Sequence, residues 1–237
     1  VKVLILGGTA EARALASTLH AKGDDVISSL AGRVRDPRLP VGAVRVGGFG
    51  GPEALAAWLR AESIDAVIDA THPFAARISA SAATAASDAA VPLLMLRRPG
   101  WPSRPGWQWV STLEESTRCL GDRVFLTTGR QGLTAFADCP QWFLIRCVDP
   151  PDVRLPESNE VLLARGPYTV DGERELMRSR AVDTLVTKDS GGPLTVAKLD
   201  AAEELGVRVV VVRRPPTPDV PAVETIAEAA AWLDGVS

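Results

Sequence analysis

Five short glycine-bearing or polar stretches hold the residues of this chain that could do chemistry. The first is Gly7-Gly8-Thr9-Ala10-Glu11-Ala12. Set on the pattern G-x-G-x-x-G/A, it matches at Gly7 and Ala12 and has Thr9 where the second glycine belongs. That glycine lets a backbone approach a pyrophosphate, and Thr9 would supply a hydroxyl donor in its place. The helix N-terminus that follows offers unpaired N–H groups and a positive dipole end to an anion. Gly7, Gly8, Thr9, Glu11 and Ala12 are therefore the expected dinucleotide turn. Without a ligand, the same residues make a tight strand-to-helix turn.

The second stretch is Ser28-Ser29-Leu30-Ala31-Gly32-Arg33-Val34-Arg35. A protein that binds NAD places Asp or Glu at such a strand end to hold the ribose hydroxyls. Here two arginines stand nearby and no acid does. A guanidinium meets phosphate in a forked geometry, so Arg33 and Arg35 are expected to read the 2′-phosphate of NADP. The third stretch, Thr71-His72-Pro73-Phe74, follows a strand at the edge where open sheets bind ligands. Thr71, His72 and Pro73 are expected beside the cofactor, where His72 could hydrogen-bond a nicotinamide, relay a proton or simply close a turn. The last two stretches are Gly129-Arg130-Gln131-Gly132 and Lys188-Asp189-Ser190-Gly191-Gly192, with Lys198 beyond. Gly129, Arg130, Lys188, Ser190, Gly191 and Lys198 are expected to bind substrate. The cations among them suit a ligand rich in carboxylate or phosphate. Ordinary turn and cap chemistry accounts for Ser190 and Gly191 but does little for Lys188. No Ser/His/Asp arrangement, acid pair or phosphate-loop lysine is apparent.

The elements that must position these turns alternate. β-rich runs end at Leu6, at Leu30 and at Val46, and span 65–70, 92–97, 124–128, 142–147, 160–164, 183–187 and 207–212. Alanine-rich helical stretches lie among them, the form of a parallel sheet covered by helices. On the first helix, Ala14, Leu15, Thr18 and Leu19 are expected to share one face. Between Arg98 and Gln108 the texture changes to prolines, tryptophans and glycines, which predicts a boundary. The two halves echo each other. D-A-V-I-D-A-T-H-P-F at 65–74 and D-T-L-V-T-K-D-S-G-G at 183–192 each lead through an Ala-rich helix to a strand that exits as Arg-Arg-Pro. A duplicated unit is expected: an α/β protein of two Rossmann-like parallel-sheet domains facing each other across a cleft. Their predicted extents are 1–100 and 119–237, with a linker at 101–118.

The 237 residues suffice for two domains of roughly 100 to 120 residues. With 46% apolar and 23% charged residues the composition is globular. No apolar run reaches the roughly 18 to 20 residues of a membrane span. The apolar start, Val1 to Leu6, runs straight into the glycine turn and reads as a buried strand, so a cytoplasmic protein is expected. Three scattered cysteines and two histidines, His20 and His72, predict neither a disulfide framework nor a metal site. A net charge of −3 without a basic run argues against nucleic acid. Oligomeric state is not encoded in any of these features.

Taken together, L-I-L-G-G-T-A-E-A-R at 4–13, S-L-A-G-R at 29–33, D-A-T-H-P-F-A at 69–75, T-G-R at 128–130 and T-K-D-S-G-G at 187–192, with Lys198, resemble the precorrin-6A reductase family. The resemblance implies hydride transfer from NADPH to one double bond of precorrin-6A, giving precorrin-6B on the way to the corrin ring of vitamin B12. The partner it implies is a carboxylate-rich tetrapyrrole. A proton must also arrive, from Lys188, His72, solvent or the substrate's own acids. Another NADPH-linked reductase or epimerase, or a non-catalytic dinucleotide sensor, are the alternative readings.

Overall fold

The structure, a computed structural model, describes residues 1–32 and 39–236. Arg33 and Arg35 lie outside the described residues. In chain order the first elements are β1 (Lys2–Leu6), α1 (Ala10–Lys22), β2 (Asp25–Leu30), β3 (Ala43–Val46), α2 (Pro52–Ala61), β4 (Ala66–Asp69), α3 (Ala76–Ala89) and β5 (Leu93–Leu96). Next come β6 (Gln108–Val110), α4 (Leu113–Ser116), β7 (Arg123–Leu126), β8 (Trp142–Cys147) and β9 (Asn159–Leu163). The chain continues through α5 (Val170–Ser179), β10 (Thr184–Lys188), α6 (Ala197–Leu205) and β11 (Arg208–Val212). It ends with β12 (Ala222–Val223) and α7 (Ile226–Asp234).

β1 shows why the first sheet forms. Its side chains alternate between two apolar layers, so every residue after Lys2 is buried. Val3 and Ile5 enter a cluster with Leu15, Leu19 and Leu233, and Leu4 and Leu6 enter another with Leu55, Leu59 and Ala86. A strand covered on both faces is the parallel-sheet pattern. The α1 helix starts where Thr9 accepts the Ala12 N–H and stops at Gly23, whose φ of 94° suits a residue without Cβ. Its buried face is Ala12, Leu15, Ala16 and Leu19. Ala14 and Thr18 are exposed, contrary to expectation, because the 3.6-residue repeat that contains Leu15 and Leu19 runs through Ala12 and Ala16.

The chain forms two six-stranded parallel sheets, ordered β3-β2-β1-β4-β5-β12 and β9-β8-β7-β10-β11-β6. Matched strand for strand, the two orders are the same winding, as the sequence echo predicts. The sixth strand is the exception to each half's continuity. β6 follows β5 in the chain but pairs with β11, and β12 follows β11 but pairs with β5. The two compact units are accordingly 1–99 with 215–237, and 100–214. This division differs from the expected one in two ways. The stretch 101–118 contains β6 and α4 rather than a linker, and the tail beyond Arg214 completes the first unit. A two-residue strand carries no period to show which sheet it joins; the pairing of Ala222 and Val223 with Met95 and Leu96 decides it.

In the second unit Phe125, Leu144, Leu185, Val209 and Val211 pack under α5 and α6. Among the described residues no helix is long and apolar enough to cross a membrane.

Candidate active site

In the first unit the turn after β1 is built as the fingerprint requires at two of its three positions. A Cβ on Gly7 would sit 3.4 Å from Leu30 and 3.6 Å from Ala12, so small residues at 7 and 12 let helix and strand close together. Gly8 has φ 110°, a conformation that favours glycine, and among the described residues nothing lies within 4 Å of where a Cβ would stand. Thr9 differs from the reading as a ligand donor. Its hydroxyl donates to the Ala70 carbonyl at 2.8 Å and accepts the Ala12 N–H at 3.1 Å. Thr9 thus ties the turn to the end of β4, and any anion would meet backbone N–H groups of the first helical turn, which have no intrahelical acceptor. Glu11 pairs with Arg98 at 2.7 Å.

The Thr71–Phe74 turn rests on a buried charge pair. Asp69 is fully buried; one carboxylate oxygen accepts from the Thr71 N–H (3.0 Å) and hydroxyl (2.6 Å). Its other oxygen meets Arg97 at 3.3 Å. The same guanidinium donates to the Thr71 carbonyl and to the Ser79 hydroxyl. Above this support, His72 Nδ1 accepts the Phe74 N–H at 3.2 Å. A neutral ring in that geometry carries its proton on Nε2, as a donor. Thr9, Thr71, Pro73 and Arg97 line one small pocket at this edge.

On the neighbouring strand ends, Arg45 of β3 donates to the Ser29 hydroxyl (2.9 Å) and to the carbonyls of Gly47 (2.9 Å) and Gly48 (3.2 Å). Its guanidinium lies 3.7 Å above the Phe49 ring. His20 is exposed on α1.

In the second unit the turn after β10 is fastened from several sides. The Asp189 carboxylate accepts the Trp101 N–H at 3.0 Å, and the Trp101 indole donates to the Gly192 carbonyl at 3.1 Å. Arg214 donates to the carbonyls of Asp189 (2.9 Å) and Ser190 (3.4 Å). Gly191 and Gly192 take φ values of 65° and 76°, the region that favours glycine. At the start of this turn, burial holds the Lys188 ammonium below the ordinary lysine value.

Lys198 does not reach out of the fold. It is 3% exposed, donates to the Thr195 carbonyl at 3.0 Å and lies 5.0 Å from the Trp101 ring. Burial first, and then the nearby Arg146 cation, push its ammonium down to about 7, while Glu173 opposes them. Arg146 and Glu173 form a buried two-pronged ion pair, 2.5 and 3.1 Å, with the Tyr168 ring 3.8 Å from the guanidinium. Gly129 of the T-G-R turn has φ 74°, and among the described residues the buried Thr128 hydroxyl before it has no hydrogen-bond partner. Among the described residues no group of three or more His, Cys, Asp or Glu is placed to hold a metal ion.

Residues 2–234 match the family model described as precorrin-6x reductase CbiJ/CobK. The chain belongs to that family. It is 55% identical to the precorrin-6A reductase of Rhodococcus erythropolis, covering 98% of this chain and 97% of the relative. To the precorrin-6A reductase of Mycobacterium tuberculosis it is 50% identical, covering 99% and 98%. A solved CobK precorrin-6A reductase superposes with a TM-score of 0.93 at 40% identity, covering 99% of this chain and 96% of that one.

As a member of the CbiJ/CobK family the chain is an oxidoreductase of cobalamin biosynthesis. The structure gathers Gly7, Gly8, Thr9, Ala12, Thr71, His72 and Pro73 at the carboxyl ends of β1 and β4, and Lys188, Ser190 and Gly191 at that of β10. Sequence reasoning missed Asp69, Arg97, Arg146 and Arg45. Asp69 and Arg97 each stand inside a strand-end motif, yet a salt bridge between residues 28 apart has no local signature. Arg45 sits between two valines in a short strand, and an arginine between β-branched residues at a strand end was the available signal.

Proposed function

We propose that this chain reduces precorrin-6A to precorrin-6B with NADPH, in the cytoplasm. The carrying observation is the glycine turn at Gly8, at the head of α1 and beside the end of β2, where Ser29, paired with Arg45 of the adjoining β3, stands where an NAD binder has an acid. The relatives' shared name supports the substrate. NADPH supplies a hydride from C4 of its nicotinamide ring; a hydride and a proton saturate one double bond and leave NADP⁺.

The residues present fit that group. Gly7, Gly8 and the first turn of α1, with Ala12 behind them, would receive the pyrophosphate on backbone N–H groups. Thr9 and Glu11 hold the turn through Ala70 and Arg98. Thr71, His72 and Pro73 would flank the nicotinamide end, with Nε2–H of His72 as a donor. Gly129, Arg130, Lys188, Ser190 and Gly191 would receive the carboxylates of the macrocycle. Lys198, buried and donating to the Thr195 carbonyl, would hold the segment that follows the last of these turns. Its role is therefore positioning rather than substrate contact. His72 and Lys188 are the side chains proposed to deliver the proton, with solvent and the substrate's own acids as the other sources.

Incubating the purified protein with NADPH and precorrin-6A should consume nicotinamide absorbance in step with formation of the reduced macrocycle. No turnover with folded protein would remove the reading. In single-turnover measurements His72→Ala and Lys188→Ala each test the proton. A loss of about 100-fold or more in one identifies the donor, since general acid catalysis contributes at least that much. Losses under about threefold in both assign the proton to solvent or to the substrate's own acids.

A further inference from the structure

We propose that Arg45 is the residue that selects a phosphorylated adenosine ribose, acting as a preset fork for a phosphomonoester on the 2′-oxygen. The inference rests on the reading that a nicotinamide dinucleotide binds the first unit. It is carried by how Arg45 is held. Its three acceptors are the Ser29 hydroxyl and the carbonyls of Gly47 and Gly48. All three are neutral, and among the described residues no carboxylate pairs with it. A guanidinium has five N–H groups; among the described residues three are used, leaving Nε–H and one Nη2 hydrogen. The ring of Phe49 at 3.7 Å and that of Trp58 at 5.7 Å fix its plane. A guanidinium oriented in advance loses little freedom on meeting an anion, and Arg binds phosphate through two parallel donors.

Position completes the case. Arg45 stands in register with Ser29, on the adjoining parallel strand, at the strand end where this fold discriminates the ribose. Ser29 is too short and neutral to repel a phosphate, and it anchors the guanidinium instead. Among the described residues nothing lies within 4 Å of a Cβ built on Gly47 or Gly48, so neither glycine crowds the guanidinium. Among the described residues, a cation without a carboxylate partner, two remaining donors and two uncrowded glycines together describe a seat for a dianion.

The probes are 2′,5′-ADP, which carries the 2′-phosphate, and ADP, which lacks it, titrated by calorimetry against the full chain. The wild type should bind 2′,5′-ADP at least tenfold tighter than ADP. Arg45→Gln should bring the two within about threefold by weakening 2′,5′-ADP alone, and Arg45→Lys should keep part of the difference. Circular dichroism establishes that each variant is folded. If Arg45→Gln disrupts the fold, the Arg45→Lys ratio decides, and an unreduced ratio there overturns the assignment. A folded Arg45→Gln protein that keeps the wild-type ratio overturns this inference and leaves the NADPH reading standing. A wild type that does not distinguish the probes overturns both.

Discussion

At the residue scale, burial and charge conflict at Lys198. Three ionisable groups, Lys198, Arg146 and Glu173, lie buried together, and one carboxylate faces two cations. The Arg146–Glu173 pair satisfies itself in two-pronged geometry, so the lysine is the member that yields its proton. Its pKa falls from 10.5 to about 7 in the fold. Between those values the unfolded chain binds more protons at this site than the native one, and stability therefore rises with pH across that window. The melting temperature of the wild type should climb from pH 7 to pH 9 relative to that of Lys198→Met, which has no proton to lose. Parallel profiles for the two proteins would contradict it. The sequence shows a lysine near a helix start; only burial turns it from a surface cation into an internal amine.

At the scale of the element, the two halves use one device to start their central strands. Asp65, just before β4, accepts the Lys2 N–H at 2.7 Å, and Asp183, just before β10, accepts the N–H groups of Asp122 (2.8 Å) and Arg123 (3.0 Å). In each, a carboxylate from the fourth strand of the winding ties down the first residues of the neighbouring central strand. In the second unit this device explains a glycine. A Cβ on Gly121 would fall 2.2 Å from a carboxylate oxygen of Asp183 and 2.8 Å from the Thr184 hydroxyl. Neither can withdraw without losing hydrogen bonds, because Thr184 also accepts the Gly121 N–H and donates to Asp183. Gly121→Ala should destabilise the protein by about 2 to 4 kcal/mol, a strain term plus at least one orphaned polar group. Gly23→Ala, with positive φ but, among the described residues, open space around it, should cost about 1 kcal/mol. Urea unfolding of both variants checks the ranking, and equal midpoints would refute it.

For the whole molecule, the exchange of the sixth strand makes the first unit depend on the chain's last residues. Ala229, Ala230 and Leu233 of α7 complete the cluster around Ile5, Leu15 and Leu19, and β12 covers the edge of β5. The second unit contains all six of its strands between residues 100 and 214. A chain ended after Arg214 should therefore lose protection in β1, β4 and β5 while β7, β10 and β11 keep theirs. Hydrogen exchange resolved by peptide is the measurement, and uniform loss in both units would show that neither folds without the other.

What the sequence by itself determined is local. Apolar runs of strand length, helices repeating at 3.6 residues and glycines at strand ends were enough to place most strands, the duplication and the turns that carry Gly7, His72 and Lys188. Those features follow from neighbours a few residues away, where period and backbone preference act. Tertiary structure decided the rest. It gave β6 and β12 to opposite sheets, committed the Thr9 hydroxyl to Ala70, set Asp69 against Arg97, buried Lys198 and laid Arg45 over Phe49. Each of these is a pairing or a burial settled by competition among distant partners, and a hydrogen bond or ion pair leaves no period in the chain.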